Sequence, residues 1–109
     1  VVVLVSRGGK TAELLPVLDV AKKKGAFIIG ITENLTSPIA TGADCVLPMH
    51  IERESDKFNM QATASFVATI ALCDALICAI MEATGYCKEQ FALIHPGGAV
   101  GARLNERKG

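Results

Sequence analysis

Three stretches of this 109-residue chain carry side chains able to do chemistry. In the first, Ser6-Arg7-Gly8-Gly9-Lys10-Thr11 breaks an apolar run and leads toward a helical pattern. Adjacent glycines let backbone N–H groups face an anion, a helix N-terminus adds roughly half a positive charge, and Ser6, Lys10 and Thr11 bring further donors. A phosphate group is the expected guest. The bland alternative for the same residues is a plain glycine turn with a threonine near the helix start. Glu13, read as one turn into that helix, could act on the bound ligand or merely complement the helix dipole. In the second stretch, Glu54 lies within the charged run Glu52 to Lys57, where a solvated loop carboxylate is the bland alternative to a general base or acid. In the third, His95 precedes Pro96-Gly97-Gly98, and an imidazole on a loop suits proton transfer at neutral pH. His50 has no such glycine context and reads as structural or exposed.

Several function classes are excluded or disfavoured by what these motifs lack. Gly9-Lys10-Thr11 resembles the end of a nucleotide-binding Walker loop, but the glycine required five places earlier is Leu4. The dinucleotide fingerprint fails too, since Gly8 and Gly9 are adjacent and no third glycine follows before Gly25. Eleven Lys and Arg balance eleven Asp and Glu, so there is no field to gather DNA or an acidic membrane, and a charged ligand must be small. Cysteines 45, 73, 78 and 87 form no C-x-x-C pair, and with only two histidines a metal cluster is not expected. Cys73 and Cys78, five apart in an apolar stretch that reads as helix, read as small buried hydrophobes in a reducing, cytoplasmic compartment. The opening Val-Val-Val-Leu-Val, without an initiator Met or basic leader, reads as a cut within a longer protein.

The elements that must position these residues follow a β-α-β-α-β pattern. Val1 to Val5 reads as a central strand of a parallel sheet, and Leu14 to Lys24 as a helix stopped by Gly25. Ala26 to Thr32 is a second strand, joined to the first by a right-handed crossover; Pro38 to Gly42 is a short helix and Asp44 to Pro48 a third strand. Met49 to Lys57 is a surface loop. Phe58 to Thr84 has neither Gly nor Pro and reads as one long helix, followed by a short helix at Lys88 to Leu93 and a glycine-rich, non-helical stretch from His95 to Gly101. Asp74 near the middle of the long helix would cost roughly 2.5–3.5 kcal/mol in a bilayer, so a buried helix is expected rather than a membrane span. Its alanines at 64, 68, 71, 75 and 79 would admit another helix closely, in a core or a subunit interface.

Three separated motifs resemble those of a known family. Ser6 to Glu13 is similar to the S-x-S-G-x-[ST]-x-E loop of SIS (sugar isomerase) domains, Cys73-Asp74-Ala75-Leu76 to their G-D-A-L helix, and Phe91 to Gly101 to the F-A-L-S-H-P-G-G-A-L-G signature of the arabinose 5-phosphate isomerase group. The resemblance implies an α/β three-layer sandwich, a parallel sheet flanked by helices, Rossmann-like. Residues 1–109 would be the C-terminal part of a single SIS domain whose N-terminal strand and helices are absent. It implies aldose–ketose isomerisation of a sugar phosphate through an enediol, without cofactor or metal. Glu13, Glu54 and His95 would be catalytic. Ser6, Gly8, Gly9, Lys10, Thr11, Thr63, Ser65, Gly97 and Gly98 would bind substrate. It further implies a homo-oligomer, dimer or tetramer, in which the His95 loop serves a neighbouring subunit, with no nucleic acid or membrane as partner of this segment. Gly8 replaces the family's second loop serine, and only Thr63 and Ser65 retain hydroxyls where the isomerases carry Pro-Thr-Ser-Ser. A sensor that binds a phosphosugar without turnover is the competing expectation, and an assembly module built on the alanine-rich helix a third.

Overall fold

The computed structural model describes residues 1–95 and 97–106, with side chains to Arg103; Pro96 of the glycine-rich stretch lies outside the described residues. The chain divides into a first compact unit, Val1–Cys73, and a second from Asp74 onward.

In the first unit the order is β1 (Val2–Val5), α1 (Leu15–Lys23), β2 (Ile28–Thr32), α2 (Pro38–Gly42), β3 (Cys45–Pro48) and the start of α3 (Ala64–Thr84). The three strands are parallel in the order β1-β2-β3, with Val5 opposite Ile31 and Ile31 opposite Leu47. The expected α/β architecture is present. Strand β2 is the central one, buried at four of its five residues, whereas β1 forms an edge with Val3 and Val5 exposed. Among the described residues β1 pairs with β2 alone, so the central placement expected for the first strand is not met within this chain; a β-branched run tells that both faces are apolar, not which neighbour pairs with it. Leu4, Leu18, Ala21, Ile28 and Ile39 form the core between the sheet and α1 and α2. At Gly30 a Cβ would sit 3.1 Å from Ile39, so the bare glycine lets α2 lie close on β2.

Two boundaries differ from expectation. Helix α1 starts at Leu15, with Leu14 as N-cap and Pro16 in its first turn, so Thr11 and Glu13 precede the helix rather than open it. A turn closed by the Leu14 amide on the Thr11 carbonyl (3.0 Å) occupies that space instead. Helix α3 starts at Ala64, not Phe58. The Asp56 carboxylate collects the backbone N–H groups of Phe58, Met60 and Gln61 at 2.8–2.9 Å, and Asn59 adopts φ 58°. Those amides are spent on a side chain, which is how Asp diverts backbone from helix.

In the second unit, α4 (Lys88–Ile94) opens at Cys87, whose amide donates to the Gln90 side chain at 3.0 Å. Helix α5 (Ala99–Glu106) follows, so Ala99 to Gly101 are helical against expectation: the glycine break ends at Gly98, whose carbonyl accepts from the Ala102 amide. The expectation of a buried long helix is also corrected. Ser65 is the one buried residue of α3, while Phe66, Val67, Ile70, Ile77 and Ile80 are exposed. By length and composition α3 would be able to cross a membrane. The four cysteines are free; Cys73 is half-buried and Cys78 exposed, not the buried pair expected, while Cys45 is half-buried and Cys87 exposed.

Candidate functional site

The Ser6 to Thr11 loop leaves β1 at the carboxyl edge of the sheet, where open α/β folds bind ligands. The Ser6 amide extends the ladder to the Ile31 carbonyl at 3.0 Å, and its buried hydroxyl lies 2.7 Å from that of Thr11 and accepts from the Gly9 amide at 3.0 Å. The loop is strapped to the β2–α2 corner. The Arg7 carbonyl accepts from the Thr32 hydroxyl at 3.0 Å and the Glu33 amide at 2.9 Å, and the Gly9 carbonyl from the Ile39 amide at 3.3 Å. Gly9 has φ +66°, and a Cβ there would fall 1.9 Å from the hydroxyl oxygen of the fully buried Ser37. Gly8 has no heavy atom within 4 Å of where its Cβ would be. Lys10 and Thr11 are exposed, and among the described residues nothing accepts from the amides of Gly8, Lys10, Thr11 or Ala12. A strapped loop with four amides to offer is suited to an anion.

Glu54 is buried (3 %). Its Oε2 accepts from the Thr63 amide (3.0 Å), the Thr63 hydroxyl (3.0 Å) and the Ser65 amide (3.1 Å), so the carboxylate takes orphan donors at the N-terminus of α3. The Ser65 hydroxyl, then the Ser65 and Thr63 amides and the Thr63 hydroxyl, hold its pKa down to about 2 against the opposing effect of burial. Asn59 Oδ1 fixes the Glu54 amide at 2.6 Å. Thr63 and Ser65, expected to touch substrate, hold the glutamate, and Ser65 also lines the cleft described below.

Sequence reasoning passed over Arg7, Glu33 and the role of His50. Arg7 Nε donates to Glu33 Oε2 at 2.8 Å and Nη1 lies 3.5 Å from Glu54 Oε1, while His50 Nδ1 sits 2.7 Å from Glu33 Oε1. The hydrogen bond from Arg7 lowers the Glu33 pKa most, with burial opposing it. These partners are 26 and 47 residues apart in sequence, a separation that carries no periodic signal. A cleft of about 220 Å³ opens beside them, walled by Val5, Ser6, Arg7, Met49, Ser65 and Phe66.

Glu13 is exposed on the turn before α1 and is not a wall of that cleft. In the second unit, His95 is exposed at the end of α4, its ring stacked on Phe91 with centroids 4.5 Å apart; Gly97 and Gly98 follow, both exposed. The fold therefore joins Ser6, Gly9 and Thr11 in one cluster and Glu54, Thr63 and Ser65 in another, with Arg7 reaching Glu54 from the loop.

Residues 1–79 match the model of the SIS domain. Over 104 residues the chain is 40% identical to arabinose 5-phosphate isomerase KdsD of Pseudomonas aeruginosa, an alignment covering 95% of this chain and 32% of that protein. Against arabinose 5-phosphate isomerase KpsF of Escherichia coli it is 38% identical over 105 residues, 96% of this chain and 33% of that one. A candidate sugar-phosphate isomerase from Listeria monocytogenes superposes with TM-score 0.82 and 48% identity, over 88% of this chain and 51% of that chain. The E. coli CFT073 protein c3406, solved in complex with a sugar phosphate, superposes with TM-score 0.82 and 30% identity over the same shares. The chain thus spans about one third of the length of its curated relatives and about half of the solved chains. With the family match running from β1 through the cleft walls and into α3, the resemblance carried by the sequence motifs holds, and the chain belongs to the SIS domain family.

Proposed function

We propose that the protein containing this chain is an aldose–ketose isomerase acting on a sugar phosphate such as arabinose 5-phosphate, and that residues 1–109 form the C-terminal part of its SIS domain. The observation that carries this reading is the strapped Ser6 to Thr11 loop, with unspent amides, beside a cleft whose walls Arg7 and Ser65 both contact the buried, ionised Glu54 carboxylate. The phosphate is bound by the Gly8, Lys10 and Thr11 amides, with Lys10 supplying charge; Ser6 and Gly9 hold the loop's shape. Isomerisation removes the proton from C2 of the open-chain aldose, forms a cis-enediol, and returns a proton to C1 while the O2 hydroxyl becomes the ketone. A carboxylate takes and returns the carbon-bound proton, and a second acid serves the oxygens. Glu54 and Glu13 fill these roles, and His95 on its Gly97-Gly98 loop opens the sugar ring or shuttles the proton.

The incomplete-domain part of the proposal is supported by three features. The β1 edge and the flank of α3 are uncovered, the cleft is smaller than the roughly 300 Å³ at which ligand pockets usually begin, and the relatives are longer. A homo-oligomer, with the His95 loop entering a neighbouring subunit, and a cytoplasmic location belong to the same proposal; the apolar face of α3 supports an interface helix.

A second reading is a phosphosugar sensor without turnover. It is favoured by one observation: Glu54 at a pKa of about 2 is a weak base, with Oε2 already accepting three bonds. Incubating the full-length protein with a panel of sugar phosphates in D2O separates the two. Deuterium entering C2 with one substrate supports the isomerase; tight binding without exchange from any of them leaves the sensor.

A further inference from the structure

Arg7 occupies a loop position that neither phosphate binding nor proton transfer requires, yet its guanidinium meets two carboxylates from different segments. Nε donates to Glu33 on the β2–α2 corner, and Nη1 approaches Glu54 at the start of α3. The two oxygens of Glu54 are unequal. Oε2 accepts from the Thr63 amide and hydroxyl and the Ser65 amide, the Ser65 hydroxyl also acts on the carboxylate, and Arg7 Nη1 stands 3.5 Å from Oε1. Oε1, which carries none of those three short bonds, is the oxygen better placed for a substrate proton, and Arg7 is the cation beside it.

The local charge argues against Arg7 as a phosphate clamp. One guanidinium faces two carboxylates, Glu33 and Glu54, and the outer oxygen of Glu33 is met by the exposed His50; the neighbouring cation Arg53 points its Nε at the Glu54 carbonyl. An anion docking on Arg7 would meet no surplus positive charge. What the arrangement offers is rigidity: Nε and Nη1 are fixed in one plane, so bracing Nε on Glu33 fixes where Nη1 sits relative to Oε1.

We propose that Arg7 is a positioning residue of this site: braced by Glu33, its guanidinium sets the place of the Glu54 oxygen that exchanges protons with the sugar. The proposal rests on the isomerase reading for its kinetic consequence, but the coupling between Arg7 and Glu54 is measurable without turnover. A lysine offers a single donor centre and does not span both carboxylates.

The test uses the full-length protein and its Arg7→Gln, Arg7→Lys and Glu33→Gln variants. Two readouts are taken: kcat and KM with the sugar phosphate that exchanges, and the titration of the Glu54 side-chain carbon by 13C NMR. In R7Q and R7K, kcat is expected to fall roughly 10- to 100-fold, as for a misplaced catalytic group, with KM within about threefold. E33Q keeps the arginine, loosens its brace, and is expected to give a smaller fall in kcat; it also serves if R7Q does not fold. The Glu54 titration is expected to move upward in R7Q, because a cation beside a carboxylate favours its charged form. A tenfold rise in KM at unchanged kcat would make Arg7 a substrate-binding residue and overturn the proposal. So would full activity in R7K, or a Glu54 titration identical in wild type and R7Q. Wild-type protein that exchanges no sugar phosphate sinks the isomerase reading alone, since the Glu54 titration still decides whether Arg7 governs that carboxylate.

Discussion

The Oε2 atom of Glu54 lies 3.1 Å from the backbone amide of Ser65, eleven residues downstream, so a buried loop carboxylate and the first turn of a 21-residue helix hold each other in place. With the Thr63 amide and hydroxyl on the same oxygen, the carboxylate serves as a cap supplied from outside the helix.

This relationship has a pH signature. The Glu54 pKa stands at about 2 against an ordinary 4.5, so the folded state prefers the charged form. The stabilisation is complete above pH 4.5 and drains away as pH falls toward 2. Glu54→Gln is expected to melt several degrees lower at neutral pH and to show a flatter stability curve between pH 4.5 and 2; a pH series of thermal melts on both proteins checks this. Equal slopes in that window would remove Glu54 from the cap.

Gly9→Ala places a Cβ where the Ser37 hydroxyl stands and forces an L-residue to φ +66°. Left-handed strain and overpacking together predict a loss of roughly 2–5 kcal/mol, read by urea denaturation. Gly8→Ala meets open space and is expected to leave stability within about 0.5 kcal/mol.

Gly8→Ser restores the hydroxyl that the family loop carries. The position is exposed, has room and is not among the positive-φ glycines, so the side chain fits without strain. One additional charge-assisted hydrogen bond to phosphate predicts roughly five- to tenfold tighter binding of a sugar phosphate, measured by calorimetry. Unchanged affinity would mean that the phosphate does not sit on this loop.

His95 is exposed at the end of α4, so its removal should cost little stability beyond the ring contact with Phe91. As a proton carrier, however, it should matter: His95→Ala in the full-length enzyme is expected to lower kcat by roughly 10²- to 10⁴-fold with KM little altered. A variant with normal turnover would take His95 out of the proposed chemistry.

Much of the scaffold was legible from local pattern. The β-branched runs marked β1, β2 and β3, Gly25 and Gly85 stood as stops at φ +64°, and Pro38 opened α2. The boundaries that misled were set by side chains acting on the backbone at short range: Asp56 drawing three amides out of helix, and Pro16 with Leu14 delaying α1. The Ser6 to Thr11 loop was legible from its glycines and donors at a strand end and the role of Glu54 through family resemblance, whereas the contacts of Arg7, Glu33 and His50 were not. Their contacts join chain segments through folding alone, and a charged residue in a loop looks the same in sequence whether it meets solvent or a carboxylate.

The uncovered rim of β1 has a practical consequence for anyone handling this segment. Val1, Val3 and Val5 are exposed on and beside β1, whose outer edge has no partner strand among the described residues, and Phe66, Val67 and Ile70 add an oily helix flank. Produced by itself, the polypeptide is expected to be adhesive, recruiting further strands edge to edge and coming out of cells in inclusion bodies.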